Sequence, residues 1–271
     1  MTLYVTERGG SGPRLVFLHG LFGQGKNWTS IAKAFEQDHR VTLLDLPDHG
    51  RSDWTSRVSY LDMAALVADL LTTSYPAERV AVVGHSMGGK VAMVLALTRP
   101  ELVERLCVVD IAPVAYARES SFGTFVAGMR ALDLATLPDR STADRALEPY
   151  AADPTVRSFL LQNLRRDGSG WRWQMNLDLL GDHLDTLNGW PAPVTPPYPG
   201  PTLWLAGSES DYIGRDDAPA MRALFPRVRL ATVKGAGHWV HSERPAVFVA
   251  ALRRFLTAGT PTGTTDAIPA P

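Results

Sequence analysis

Val80-Ala-Val-Val-Gly-His-Ser-Met-Gly-Gly-Lys-Val-Ala-Met-Val-Leu-Ala-Leu97 changes character twice. Arg79 to Val83 is a short β-branched apolar run, the pattern of a buried parallel strand. Val91 to Leu97 is rich in Ala, Leu and Met, the pattern of a buried helix. Between them, Gly84-His85-Ser86-Met87-Gly88 is a Gly-x-Ser-x-Gly pentapeptide at a strand-to-helix junction. So sharp a turn strains its central residue, and small neighbours keep the flanking strand and helix from clashing. The strain lifts Ser86 Oγ clear of the sheet, at a helix N-terminus that favours developing negative charge. Two weaker readings compete: a glycine-rich turn with a bystander serine, and a phosphate-binding loop. Gly84 to Lys90 nearly spells the loop, but the next residue is Val91 where a magnesium-binding Ser or Thr is needed.

Working outward, 271 residues can bury a full core, and 45% hydrophobic with 20% charged residues is ordinary for a globular chain. A formal net charge of −1 gives no electrostatic case for nucleic acid or an acidic membrane. One cysteine, Cys107, excludes an intramolecular disulfide and a cysteine-rich metal site. No long uncharged apolar stretch occurs, and the N-terminal residues lack a signal pattern, so a soluble cytoplasmic protein is expected.

Leu3–Glu7 reads as an edge strand, and Arg14–Leu18 as a buried strand running into His19-Gly-Leu-Phe-Gly23. Asn27 is the expected N-cap of a helix through Glu36, followed by a strand at Val41–Leu46. Asp45, Asp48, His49 and Asp53 invite a metal reading. They lack the spacing of a metal motif and read better as a hydrogen-bonded loop, so no metal or cofactor is expected. Ser59 caps a helix over Tyr60–Ser74, and a strand follows at Val103–Asp110. Such alternation predicts an α/β fold: a mostly parallel central sheet with helices on both faces.

From residue 114 to 195 the pattern turns helical, with helices expected at Phe122–Leu132, Thr142–Tyr150 and Thr155–Arg166 and a proline-rich connector at Pro191–Pro201. Core residues 1–113 and 196–256 thus flank an inserted helical cap over the sheet's carboxyl edge, where such sheets bind ligands. The second part carries strands at Thr202–Ala206 and Val228–Val233 and a closing helix at Pro245–Leu256. Residues 257–271, rich in Thr, Gly, Pro and Ala, read as a disordered tail.

His19-Gly-Leu-Phe-Gly23, Asp45-Leu-Pro-Asp-His-Gly-Arg-Ser52 and Gly84-His-Ser-Met-Gly-Gly89 stand in an order and spacing that resembles the α/β-hydrolase superfamily, in its capped serine-esterase branch. The resemblance covers the chain to about residue 256 apart from the cap. It implies Ser86 as nucleophile and His238, in Lys234-Gly-Ala-Gly-His238, as base, with His241 as the rival. It also implies an oxyanion hole of the Leu21 and Met87 N–H groups. The acid has two candidates. Asp211 follows the strand where the superfamily's acid usually lies. Asp110, in Asp-Ile-Ala-Pro113, resembles a branch of small esterases and acyl-thioesterases, and Gly207 to Asp211 is one residue longer than the common Gly-x-x-Asp. Asp110 is the preferred acid, with Asp211 the alternative.

The expected activity is hydrolysis of short- to medium-chain acyl esters of small molecules through an acyl-enzyme. The alternatives are an acyl-thioesterase, a cofactor-free haloperoxidase or perhydrolase, and a ligand-binding receptor of the same fold. Phe22, His85, Phe122, Phe125, Trp171, Trp173 and Trp239 are candidate pocket walls. Oligomeric state and physiological substrate are not legible.

Overall fold

The computed structural model describes residues 1–116, 121–168, 170–191 and 196–258. Val5–Arg8 (β1), Arg14–Leu18 (β2), Arg40–Leu44 (β3) and Val80–His85 (β4) form the first part of the sheet. β2 and β4 are buried at every position, as strands covered on both faces must be. Between them lie Thr29–Ala32 (α1) and Tyr60–Ser74 (α2), and β4 leads into Met87–Thr98 (α3). Ser59 caps α2 as expected, its Oγ accepting the Asp62 N–H at 3.2 Å. α3 is buried from Met87 through Leu97, which explains why its sequence has no polar face.

Val103–Val109 (β5) precedes the insertion, which holds Ser121–Arg130 (α4), Arg140–Leu147 (α5), Pro154–Leu161 (α6), Leu164–Asp167 (β6), Gly170–Trp173 (β7), Leu177–Asp182 (α7) and Leu184–Asn188 (α8). Thr202–Gly207 (β8), Ala218–Leu224 (α9), Val228–Val233 (β9), Val240–Glu243 (α10) and Pro245–Thr257 (α11) finish the chain. The seven-stranded sheet runs β1-β3-β2-β4-β5-β8-β9, with β1 antiparallel and every other pairing parallel. Strand order reverses between β2 and β4. The crevice at their carboxyl ends is therefore where an open α/β sheet places its ligand.

Two expectations need correction. The helix from Asn27 to Glu36 is a 3-10 turn at Gly25–Trp28 followed by the four-residue α1. Asn27 sits inside that turn, its Oδ1 accepting the Gln24 N–H at 2.7 Å rather than capping a helix. The helix from Thr155 to Arg166 ends at Leu161, and Leu164 to Trp173 is an antiparallel hairpin turning at Gly168, φ +57°. Asp153 and Pro154 start that helix one residue early, and the insertion is not purely helical. The expected tail lies outside the described residues from 259 on, as do 192–195 of the proline-rich connector. No helix among the described residues is long and apolar enough to cross a membrane.

Candidate active site

Ser86 sits between β4 and α3 at φ 52°, ψ −119°. An L-residue is held there only by its surroundings, and the surroundings are glycine. A Cβ on Gly84 would lie 2.2 Å from the Gly88 carbonyl oxygen, and one on Gly88 would lie 2.4 Å from that of His19. The pentapeptide's composition is thus a packing requirement. The Ser86 N–H donates to the Val109 carbonyl at 3.0 Å, fixing the turn to the next strand.

Asp110 ends β5 in the same way, at φ 53° and fully buried. Its Oδ1 accepts the Gly207 N–H at 2.9 Å. Its Oδ2 accepts the Ser210 hydroxyl and, at 2.8 Å, Nδ1–H of His238. Asp211 is exposed, one residue beyond the serine that reaches Asp110. Geometry thus brings Asp110, not Asp211, to His238.

His238 lies in the loop between β9 and α10. With Nδ1 donating, the proton-accepting position is Nε2, which is buried and has no hydrogen-bond partner among the described residues. Tyr212 stacks on the imidazole at 4.0 Å between ring centroids. His241 is instead stacked on Trp28 at 4.1 Å, and burial followed by the nearby His238 lowers it to about 3. It has no carboxylate to orient it among the described residues.

His19 shapes the neighbouring loop. Its Nε2 accepts the Leu46 N–H at 2.9 Å, so Nδ1 carries the proton and donates to the Gly20 carbonyl at 2.8 Å. Burial lowers this ring to about 4, so it stays neutral. The loop that follows places Leu21 beside Ser86 in one cavity lining. Met87 opens α3, where the first N–H groups have no partner within the helix.

Two narrow cavities of about 30 Å³ each meet at Ser86. One is lined by Leu21, Asn27, His85, Phe122, Phe159, His238 and Trp239. The other is lined by Met87, Tyr60, Lys90, Tyr116, Leu187 and Tyr212. A hollow of about 640 Å³ between β8, β9 and α9 is larger, but it is open and does not include Ser86 or His238.

Of the expected pocket walls, His85, Phe122 and Trp239 line the first cavity. Phe22 stands behind Phe122 in an edge contact at 5.8 Å, and Phe125 packs against Phe122 at 5.9 Å. Trp171 and Trp173 are not among the lining residues of either cavity. Trp171 lies under the Arg166 guanidinium and donates to the Leu137 carbonyl at 2.9 Å, and Trp173 is buried in the hydrophobic core.

Sequence reasoning missed Ser210, Tyr116, Tyr212 and Lys90. Lys90 is buried one turn into α3, where it donates to the carbonyls of Asn188 at 2.8 Å and Gly189 at 2.5 Å. Tyr60 donates to Leu187 at 2.6 Å. These bonds moor the end of α8 to the helix that begins after Ser86. Burial pushes Lys90 down to about 7. The Asp45 and Asp48 carboxylates are engaged locally: Asp45 accepts the N–H groups of Gly25 and Arg51, and Asp48 those of Thr55 and the Asn176 amide. Among the described residues no group of three or more His, Cys, Asp or Glu side chains is placed to hold a metal ion.

The sequence profile of the α/β hydrolase fold matches residues 13–245. The chain is 43% identical over 250 residues to the mouse (Mus musculus) sn-1-specific diacylglycerol lipase ABHD11, covering 90% of this chain and 81% of that one. It is 31% identical over 242 residues to esterase YbfF of Escherichia coli, covering 89% and 92% respectively. A solved marine microorganism esterase superposes with a TM-score of 0.91 at 34% identity, covering 93% of this chain and 98% of the other. With a glycine-bounded serine at the switch point of a mostly parallel sheet, and a family profile spanning β2 through β9, the chain belongs to the α/β-hydrolase fold family.

Proposed function

We propose that this ester-hydrolysing enzyme works through a Ser86–His238–Asp110 triad and an acyl-enzyme. The observation that carries the reading is the buried Asp110–His238 hydrogen bond, which leaves His238 Nε2 in the same cavity lining as Ser86. Ser86 Oγ attacks the acyl carbon as Nε2 takes its proton, and the same nitrogen then protonates the leaving oxygen. Water attacks the acyl-enzyme by the reverse sequence. Asp110 fixes the imidazole tautomer and stabilises the imidazolium that forms twice per turnover. The N–H groups of Leu21 and Met87 hold the tetrahedral oxyanion, a contribution worth about 3 kcal/mol per donor in comparable sites. A thioester would be cleaved by the same atoms.

The narrow cavities favour short acyl chains, and residues 114–195 act as a cap that sets their depth. Hydrolysis of p-nitrophenyl esters from acetate to palmitate, by wild type and Ser86→Ala in parallel, tests both points. Serine-dependent turnover falling with chain length is expected. Turnover retained by Ser86→Ala would overturn the mechanism.

A further inference from the structure

A chain of net charge −1 gathers five cations on one patch where the insertion meets the core. Arg165 and Arg172 are directly opposite one another across the β6–β7 hairpin. The Arg140 guanidinium donates to the Leu164 carbonyl at 2.7 Å, which sets it beside Arg165. Lys26 and Arg51 flank Asp45, whose Oδ1 accepts the Gly25 N–H at 2.6 Å and Oδ2 the Arg51 N–H at 2.8 Å. A 2.8 Å bond from the Asn27 amide to Gln162 ties the two halves of the patch together.

None of the five is ion-paired among the described residues. Elsewhere in the insertion Arg157 meets Asp144, and Arg130 meets Asp178 and Asp182. Here the nearby carboxylate, Asp45, is engaged by backbone N–H groups. Burial and then the neighbouring cations hold both Lys26 and Arg165 below their ordinary values. Like charges placed directly opposite on a hairpin are destabilising. A bound anion would relieve that repulsion, and planar guanidinium forks match a phosphate's oxygens. Asn27, between Lys26 and the Gln162 bond, also lines the cavity of Ser86 and His238.

We infer that Lys26, Arg51, Arg140, Arg165 and Arg172 form an anion site at the rim of the Ser86 cavity, which holds a phosphate group carried on the leaving-group side of the substrate. The inference rests on the hydrolase reading, and its test separates the two. Two substrates differing by the phosphate alone, 1-monobutyrin and 1-butyryl-glycerol 3-phosphate, are compared in wild type and in Arg51→Gln/Arg165→Gln. Binding of inorganic pyrophosphate is measured by calorimetry on both proteins.

Wild type is expected to favour the phosphate ester by ~10-fold or more in kcat/KM, through KM, with the double variant near parity. Pyrophosphate binding should weaken by a similar factor in the variant, and high salt should erase the preference. Parity in wild type, or a preference the variant retains, overturns the inference. So does wild type that binds no pyrophosphate. Pyrophosphate binding that the variant loses, with neither ester turned over, supports the anion site and counts against the hydrolase reading alone. Co-sedimentation of wild type but not the variant with phosphatidylglycerol vesicles, combined with parity on the soluble pair, would assign the phosphate to a lipid headgroup and overturn the substrate assignment.

Discussion

Nδ1 of His238 donates to Oδ2 of Asp110 across 2.8 Å, though 128 residues separate them in the chain. The carboxylate has two further donors, Gly207 N–H and Ser210 Oγ, so its position does not depend on the histidine. Asp110→Asn should therefore keep its place while losing the oxygen that fixes the imidazole tautomer. Its kcat is expected to fall by ~10⁴, as in other triads, while exposed Asp211→Asn changes kcat by less than about threefold. Steady-state kinetics on both variants decide between the two aspartates. Equal losses would remove Asp110 from its role.

Ser86 at φ 52° predicts an inverted stability order for its glycine and alanine variants. Ser86→Gly relieves the backbone strain, whereas Ser86→Ala keeps it. The glycine variant should be more stable than the alanine variant by about 1 kcal/mol, although glycine is usually the more destabilising. Thermal melts of the pair read this directly, and the reverse order would show that the turn is relaxed.

Gly88→Ala drives a methyl group to within 2.4 Å of one backbone carbonyl and 2.6 Å of another. Backbone cannot step aside as a side chain can, so a loss of about 3 kcal/mol or more is expected. Gly123→Ala, in α4 with nothing within 4 Å of the added atom, should instead gain about 0.5–1 kcal/mol. Denaturant midpoints of the two variants should shift in opposite directions.

Four buried histidines make stability depend on acidity, and one of them, His85, is held well below its ordinary value by burial. His19 is held at about 4, His49 at about 3 and His241 at about 3, with burial the leading cause at each, against an ordinary value of 6.5. Above pH 6.5 all four are neutral folded or unfolded, and they add no pH dependence. Below it the unfolded chain takes up protons that the fold refuses. Each histidine then removes up to about 1.4 kcal/mol of stability per pH unit until its folded value is reached. Urea unfolding between about pH 7 and pH 4 should show this slope, and His241→Phe should flatten it by one histidine's share. An unchanged slope in that variant would mean that His241 titrates normally.

What was legible in the sequence is what neighbouring residues decide together. The elbow at Ser86, the cap at Ser59 and the apolar runs of β2 and β4 each rest on local composition, and all are present. Asp-Ile-Ala-Pro and the extra residue before Asp211 suggested Asp110 as the partner of His238, and the two are hydrogen-bonded, but Ser210's bond to Asp110 depends on how the loop after β8 folds. The hairpin at Leu164–Trp173 was missed because alternating Arg and Trp suit a helix surface as well as a strand. Lys90 looked like part of a failed phosphate loop, and its work on the α8 carbonyls comes from chain almost a hundred residues away.

β5 and β8 are adjacent strands, with Leu106 paired to Thr202 and Val109 to Leu205. The chain therefore leaves the sheet at the carboxyl end of β5 and returns at the amino end of its immediate, parallel neighbour β8. Ser86 and Asp110 are pinned to this pair of strands and to β4 by main-chain bonds of 3.0 Å, from Ser86 N–H to Val109 and from Asp110 N–H to Leu205. Neither bond involves a residue of the insertion, so its side chains can change without undoing the placement of Ser86 or Asp110. On the reading proposed above, substrate choice and bond-breaking are heritable as separate parts, and a transplanted insertion would bring its own selectivity.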